Sequence, residues 1–256
     1  RTSPPSEVLK NLSTIPVKDV LDEVAAILSG TSFAVSDSRR KSMADALLEG
    51  QLIAPGLQSG PVPLIGWPAD LLHGGPSFQL TLASLELENL LLEEFEHSGD
   101  RRYYQVARDR ILAFAVWEAQ QRSPIAFLWN DHAIAARISV MVSLWQHLRG
   151  DTDTTVAQKE ALIGLVMRSG ELLAKPKLFT VRTNHGVMQN IALLQIAAAF
   201  PLLPKTKYWR DLAIERLELQ LGFYVSDEGV VLEHSAGYHL LGTQLLAAAA
   251  RLIRLN

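Results

Sequence analysis

The chain has 256 residues, of which 48% are hydrophobic, so it can bury one large core or two modest ones. Its 24 basic and 27 acidic residues give a net charge of −3 without a Lys/Arg-rich run, which argues against a nucleic-acid partner. There is no cysteine, which excludes disulfides and thiolate chemistry, and no apolar stretch reaches membrane-spanning length.

Helical periodicity begins near the N-terminus. Segments 17–29 and 38–53 are amphipathic, and each predicts a helix. Residues 54–76, APGLQSGPVPLIGWPADLLHGGP, are rich in Pro and Gly and predict a long loop. Loops of this length within a compact domain are often functional.

Long helices with short connections fill the rest of the chain. The predicted helices cover residues 77–97, 101–121, 131–149, 155–175, 186–200 and 206–223. Short connections force neighbouring helices to run antiparallel. The strand candidates are LFTV at 178–181 and GVVLE at 229–233. The predicted fold class is therefore nearly all-α, built from serial helical hairpins, with at most a short β element near 229–233.

Several predicted helices are apolar almost all round, notably ILAFAVW at 111–117 and IALLQIAAAF at 191–200. A helix with this pattern is enclosed by other helices. No fixed-period repeat of the kind that marks ordinary solenoids is present. The pattern favours an incomplete or complete α/α toroid, and because no linker divides the chain we predict one domain over residues 1–256.

Both ends of the sequence suggest a processed or trimmed chain. It starts at Arg1 without Met or a signal peptide, and LLAAAARLIRLN keeps a helical pattern with no cap. We therefore expect that native sequence continues beyond Asn256. The lack of cysteine fits a periplasmic or secreted bacterial protein, which is the location we expect.

The first of three polar clusters lies in LWNDHAIAARISV, at the start of a predicted helix. Asn130 or Asp131 can cap this helix, and Trp129 can pack against it. Trp129, His132 and Arg137 are the other candidate side chains of this cluster, and Arg137 lies five residues after His132 on a neighbouring face of the helix.

The second cluster lies in RTNHGVMQNIALL. Thr183 or Asn184 can cap the helix that follows. The same geometry also favours an anion such as a carboxylate, because a helix N-terminus offers unpaired N–H groups and the positive end of the helix dipole. Asn184 adds an amide donor, His185 an imidazole and Arg182 a nearby positive charge.

The third cluster lies in DEGVVLEHSAGYHL. Ser235 can cap the following helix, and Tyr238 can simply pack against a neighbour. Glu233, His234, Tyr238 and His239 flank Ser235 and Gly237, which concentrates titratable groups in one turn.

In their order and spacing, these clusters resemble those of the heparinase II/III-like polysaccharide lyases and of the alginate and oligoalginate lyases of the same architecture. The resemblance rests on Asn-His-Gly at a helix start, followed about fifty residues later by Glu-His-Ser-x-x-Tyr-His after a short strand. The first cluster is similar to their Trp-x-x-His-x(4)-Arg helix. Asn184 and Tyr238 are 54 positions apart, close to the family's spacing, and the resemblance covers roughly residues 77–256.

The resemblance implies a lyase that cleaves an acidic, uronate-containing polysaccharide by β-elimination. Asn184 and His185 would neutralise the uronate carboxylate, and Tyr238 would act as acid and base. The implied substrate-binding residues are Trp129, His132, Arg137, Arg182, Glu233, His234 and His239.

The resemblance also implies a β-sandwich domain after the toroid, and in many family members it contributes a catalytic or metal-binding residue. Nothing in this sequence has the pattern of that sandwich. We therefore expect no cofactor in this chain, and a divalent metal would belong to the missing domain. The histidines of the chain show no metal-ligand spacing.

Two other functions stay open at this point. An α/α-toroid glycoside hydrolase would need two carboxylates flanking the scissile bond, for which Asp131 and Glu233 are the candidates. A non-catalytic polysaccharide-binding or exopolysaccharide-assembly protein would keep the groove of a lyase-like toroid and lose the chemistry.

Overall fold

The fold is almost entirely helical, which confirms the predicted fold class. The structure is a computed structural model. It describes residues 6–15, 21, 24, 36–53, 59–64, 66–67, 74–123, 125, 127–232 and 235–255. The predicted helix at 17–29 lies almost wholly outside the described residues.

Ten α-helices are present in the described part of the chain. They are α1 (Ser6–Thr14), α2 (Asp37–Leu48), α3 (Pro76–Ala83), α4 (Glu86–Ser98), α5 (Arg101–Gln120), α6 (Asp131–Leu148), α7 (Val156–Leu173), α8 (Asn184–Ala199), α9 (Thr206–Tyr224) and α10 (Ala236–Leu255). The helices α5 to α9 match the predicted segments to within two residues at each end.

Side-chain caps explain where several of these helices begin. The Asp100 carboxylate accepts the Arg102 N–H at the start of α5, and Asn130 Oδ1 accepts the His132 and Ala133 N–H groups at the start of α6. Helix α7 begins with a capping box between Thr155 and Gln158. Caps of this kind satisfy N–H groups that have no partner within the helix.

The predicted helix at 77–97 is two helices, α3 and α4. The break falls at Ser84 and Leu85, where Leu85 has a φ of 62° and is fully buried. A left-handed conformation is unfavourable for a residue with a Cβ, so burial of the leucine side chain must offset the strain.

Two further segments differ from their predictions. The helix predicted at 38–53 ends at Leu48. Residues Gln51–Leu52 form a strand, β1, that pairs antiparallel with β2 (Gly60–Pro61). The strand predicted at 178–181 is wrong, because Pro176–Leu178 form a 3₁₀ turn. Near 229–233, Val231 forms a single antiparallel bridge with Val225.

Contacts between the helices define two layers. Helix α2 packs against α4, α4 against α6, α6 against α8, and α8 against α10. The second layer consists of α5, α7 and α9. Helix α5 packs against α7 within this layer, and the three helices pack against the first layer: α5 against α4, α7 against α6 and α8, and α9 against α8. From α4 onwards every second helix therefore belongs to the first layer, and the helices between them form the second layer. This alternation is the arrangement of an α/α toroid.

Helix α8 is the most enclosed element of this arrangement. All of residues 186–199 are buried, as expected for a helix that is apolar almost all round and that packs against four others. Three buried amides interrupt its apolar surface, those of Gln189, Asn190 and Gln195. None of the helices in the described ranges is long and apolar enough to cross a membrane.

Candidate functional site

The N-terminal ends of α6 and α8 lie side by side. The carboxylate of Asp131, the first residue of α6, accepts a hydrogen bond of 2.9 Å from Gln189 Nε2, in the second turn of α8. Further along both helices, Ser139 Oγ of α6 donates to Gln195 Oε1 of α8. The two helices therefore run parallel, with their positive dipole ends at the same end of the toroid.

The start of α10 lies at this end as well. Near the C-terminal end of α9, Gln220 Nε2 donates to the Val181 carbonyl just before α8, so α9 runs back along α8. A short connection leads into α10, whose Gly242 packs against Tyr224 at the end of α9. Three helix N-termini thus lie at one end of the toroid, an environment that favours an anion.

The Asn-His-Gly sequence begins α8 without a side-chain cap. Thr183 occupies the cap position in an extended conformation and makes no capping hydrogen bond, and Asn184 is the first helical residue. A Cβ at Gly186 would overlap the Thr180 carbonyl oxygen and the Gln220 amide nitrogen. The glycine therefore allows the helix to start against its neighbours, which leaves Asn184 and His185 half-exposed.

His185 and His132 form the centre of the site. Their rings meet edge to face, with centroids 4.7 Å apart. His185 Nδ1 lies 3.6 Å from Asp131 Oδ2, and the His185 side chain is 42% exposed against 15% for Asp131. The structure thus brings together His132 from α6 and His185 from α8, two of the residues predicted from sequence.

The surroundings set the protonation states of Asp131 and His132. Burial, the largest effect, works against ionisation of Asp131, but His185 and the N–H groups of His132 and of Asp131 itself together hold its pKa below the ordinary value. Burial, and after it the neighbouring His185, lowers the pKa of His132. At neutral pH Asp131 is therefore a carboxylate and His132 a neutral imidazole.

Trp129 lies just before α6 and is half-buried. Its Nε1 donates to Glu118 Oε1 over 3.0 Å, and the other oxygen of this buried carboxylate accepts a bond of 2.7 Å from Arg168 Nε. The indole is therefore fixed in orientation while part of its surface stays accessible.

Arg137 is fully buried, so it has no exposed atom that a substrate could contact. Its Nη1 donates to the Leu128 carbonyl over 2.9 Å, and the guanidinium lies over the Phe114 ring. Burial lowers the pKa of Arg137 to about 10, which leaves it cationic at neutral pH. The geometry therefore gives Arg137 a supporting position beneath the turn that carries Trp129.

The third cluster begins α10. Ser235 Oγ accepts the Tyr238 N–H, which caps the helix, and the Tyr238 side chain is 51% exposed. His239 Nδ1 accepts the Val231 N–H over 3.2 Å, which joins α10 to the Val225–Val231 bridge. Two further predicted residues, Glu233 and His234, lie outside the described residues.

Arg182 is exposed just before α8, with its guanidinium 5.5 Å from the centre of the Phe223 ring. Its position next to Asn184 keeps a positive charge at the open end of the helix. The stacking on Phe223 restrains the long side chain without burying its charge.

Two glutamines of the site were not predicted from the sequence. Gln189 holds Asp131, and Gln220 holds the Val181 carbonyl, accepting at its Oε1 a bond of 2.8 Å from Asn190. For Gln189 the signal was a polar residue on an otherwise apolar helix, because a buried amide needs partners. Gln220 lies on α9, which carries many charged residues, so no such signal was present there.

In the described part of the chain, no group of three or more His, Asp or Glu side chains could hold a metal ion. A separate cleft of about 360 Å³ is lined by Phe95, Tyr104, His147 and Asp151, among others. His147 follows His132 by 15 residues on the same helix, or roughly 22 Å of helix rise, so this cleft belongs to the opposite end.

Comparison with known proteins adds a family and a fold. A family profile described as Heparinase II/III N-terminus matches residues 87–256, more than half of the chain. No curated protein matches the sequence.

Solved structures with a similar fold include heparan sulfate lyase HepC from Pedobacter heparinus, with a TM-score of 0.71 and 15% identity over 96% of this chain and 38% of that chain. A heparinase III with methylated lysines gives 0.66 and 15% over 86% and 37%, and another heparinase III gives 0.62 and 17% over 100% and 38%. At these identities the likeness concerns the fold, and the chain spans less than two fifths of each structure's length.

Proposed function

The chain belongs to the heparinase II/III N-terminus family, and from this membership we propose that it is the helical part of a lyase that cleaves a uronate-containing polysaccharide. The observation that supports the proposal is that the N-termini of α6, α8 and α10 lie at one end of the toroid, where Asn184 and His185 begin α8. That end of the toroid combines positive helix dipoles, hydrogen-bond donors and histidines, which suit an anionic sugar.

β-Elimination needs charge stabilisation at the uronate carboxylate. A base removes the C5 proton, the C4–O bond breaks, a C4–C5 double bond forms, and the departing oxygen takes up a proton. The C5 proton is only weakly acidic because the adjacent carboxylate is already anionic. Negative charge grows on that carboxylate as the proton leaves, so the site must neutralise it.

Asn184 and His185 are placed to provide this neutralisation. Both are half-exposed at the N-terminus of α8, where a side-chain amide, an imidazole and the helix dipole act on the same region. Donors aimed at developing charge are a major catalytic effect, and one well-placed group contributes about 3–4 kcal/mol.

Tyr238 is the acid/base in this proposal. Its exposed ring lies at the start of α10, at the same end of the toroid. A phenolate can accept the C5 proton, and the phenol formed can donate a proton to the leaving oxygen. Trp129, His132 and Arg182 then provide sugar and carboxylate contacts around the reacting residue, whereas the buried Arg137 supports them from below.

Asp131 does not fit the acid that the glycoside hydrolase alternative requires. A hydrolase needs a carboxylic acid that keeps its proton at working pH. Asp131 instead has a lowered pKa and accepts hydrogen bonds from Gln189 and Thr180. Its carboxylate is therefore engaged within the protein and is ionised. A polymeric substrate is met outside the cytoplasm, so a periplasmic or secreted location goes with the lyase proposal.

The test is incubation of the protein with alginate, polyglucuronate, hyaluronan, chondroitin and heparan sulfate. The ultraviolet absorbance of the unsaturated uronate product is followed. We expect product from at least one polymer, and we expect Tyr238→Phe to abolish it while the far-UV circular dichroism is unchanged. Tyr208→Phe, which alters an exposed tyrosine of α9, is the matched control and should retain activity.

Binding to the same polymers separates the remaining alternatives. Binding without unsaturated product from any of them would favour the polysaccharide-binding function. Cleavage that yields saturated reducing ends would favour a hydrolase.

A further inference from the structure

Three contacts converge on one oxygen of Asp131. Its Oδ2 accepts hydrogen bonds from Gln189 Nε2 at 2.9 Å and Thr180 Oγ1 at 3.4 Å, and it lies 3.6 Å from His185 Nδ1. Asp131 is the first residue of α6, yet its side chain extends across to α8. The carboxylate thus joins two helices whose sequence positions are far apart.

Gln189 fixes this carboxylate. Its amide is fully buried, and Nε2 lies 2.7 Å from the Leu178 carbonyl as well as 2.9 Å from Asp131 Oδ2. Because both neighbours are acceptors, the atom facing them must be the NH₂ group, and each of its two hydrogens has a partner. The amide orientation, and with it the position of Asp131, is set without any contribution from His185.

Gln189 also lies four residues after His185 on α8. Residues at this spacing occupy the same face of a helix, one turn apart. Asp131 therefore contacts two successive turns of that face, an amide in the buried turn and an imidazole in the accessible one. A carboxylate is an acceptor only, so a ring nitrogen that faces it at 3.6 Å is favoured by the contact when it carries a hydrogen.

We propose that Asp131, held by Gln189, is a positioning residue that keeps a hydrogen on Nδ1 of His185, so that a second proton, taken up when the uronate binds, stands on Nε2 and is donated to the sugar carboxylate. The role in catalysis rests on the proposed lyase function. The ring orientation and the site of its hydrogen do not, because they follow from contacts within the protein.

His132 contributes to the same arrangement. Its ring packs edge to face against the His185 ring and restrains it. Because burial and His185 lower the pKa of His132, its ring is neutral at neutral pH and does not compete with His185 as a cation for Asp131. The His185 ring is thus fixed by packing on one side and by the carboxylate on the other.

Long-range ¹H–¹⁵N NMR of the histidine rings reads the position of the hydrogen directly, with His185 assigned from His185→Gln. We expect the wild-type ring to carry its hydrogen on Nδ1. Asp131→Ala should shift it towards Nε2, whereas Asp131→Asn should preserve Nδ1–H because a carbonyl oxygen remains as acceptor. Gln189→Leu should weaken the preference by releasing the carboxylate.

Gln195→Leu is the matched control for Gln189→Leu. Gln195 is also a fully buried amide of α8, but it accepts from Ser139 Oγ and serves a different part of the helix. Both variants lose a buried amide, so a general loss of stability affects both. We expect only Gln189→Leu to alter the His185 signal.

Activity provides the second measurement. On the polymer that the wild-type protein cleaves, we expect kcat/KM to fall about 10- to 100-fold in Asp131→Ala, with partial recovery in Asp131→Asn. An unchanged His185 signal in Asp131→Ala, or equal changes in Gln189→Leu and Gln195→Leu, would overturn the proposal. The NMR measurement needs no substrate, so an inactive protein whose His185 hydrogen lies on Nδ1 would reject catalysis by this chain and keep the positioning role.

Discussion

Gly186 determines how closely α8 approaches its neighbours at the site. Its position is surrounded by the Thr180 carbonyl oxygen and the buried Gln220 amide, and a backbone carbonyl cannot move aside as a flexible side chain would. We expect Gly186→Ala to lower the free energy of unfolding by about 1–3 kcal/mol, as overpacking does in other cores. Urea denaturation measures this change.

Gly222 offers the control for that substitution. It lies within α9, and a Cβ at this position would meet no atom within 4 Å. Alanine is the better helix former, so Gly222→Ala should raise the stability by about 0.5–1 kcal/mol. A Gly186→Ala protein as stable as Gly222→Ala would mean that the start of α8 can move away from its neighbours at little cost.

The sequence predicted residues with reactive side chains and did not indicate those that hold them. His132 and His185 do lie in contact, but the motif alone could not indicate that Asp131 of α6 accepts a hydrogen bond from Gln189 of α8. Asp131 has the pattern of a capping residue, although Asn130 accepts the capping bonds. The burial of Arg137 could not be predicted from the sequence either, because the helices packed around an Arg two turns into a helix decide whether it faces the core or solvent.

The junction between α3 and α4 shows how tertiary packing decides an element boundary. Ser84 and Leu85 are neither Gly nor Pro, so nothing in the local sequence indicates a break. The left-handed Leu85 buries its side chain fully, and Glu86 follows it as the first residue of α4. Local sequence was also insufficient for LFTV at 178–181. These residues favour a strand, but Leu178 ends a 3₁₀ turn.

Glu86 makes the stability of this junction depend on pH. Burial raises the pKa of Glu86 from 4.5 to about 7, against an opposing hydrogen bond from Thr81. The folded state therefore binds this proton more tightly than the unfolded state. Its contribution to stability is complete below pH 4.5 and is lost as the pH rises through about 7.

We expect Glu86→Gln to remove this loss. At pH 8 the variant should exceed the wild type in free energy of unfolding by about 1–3 kcal/mol, since one pKa unit corresponds to about 1.4 kcal/mol. At pH 5 the two proteins should be nearly equal. Thermal or urea unfolding at both values checks this, with exposed Glu218→Gln as control. A constant difference at both pH values would contradict the assignment to Glu86.

At the scale of the whole molecule, α8 is the central helix of the described part of the toroid. It packs against α6, α7, α9 and α10, and its residues 186–199 are all buried. The sequence predicted this enclosure correctly, because an apolar surface on all sides of a helix has few other solutions. It could not indicate which helices surround α8, since that depends on contacts between distant segments.

Amide hydrogen exchange should show the same order of stability. We expect the amides of residues 190–199 to exchange slowest, at rates set by global unfolding. The amides of α10, which has one face exposed, should exchange faster. Mass spectrometry of peptides after deuterium labelling measures both. Equal protection of α8 and α10 would show that they open together as one unit.

The hydrogen bond between Gln189 and Asp131 joins residues 58 positions apart, and the bond from Gln220 to Val181 spans 39. Each helix can form within its own segment, but the candidate site exists only after three distant segments have docked. Long loops must close before these contacts are made, which places site assembly late in folding. Recovery of helical content during refolding would therefore precede recovery of the site, and a chain with most of its helices formed could still lack it.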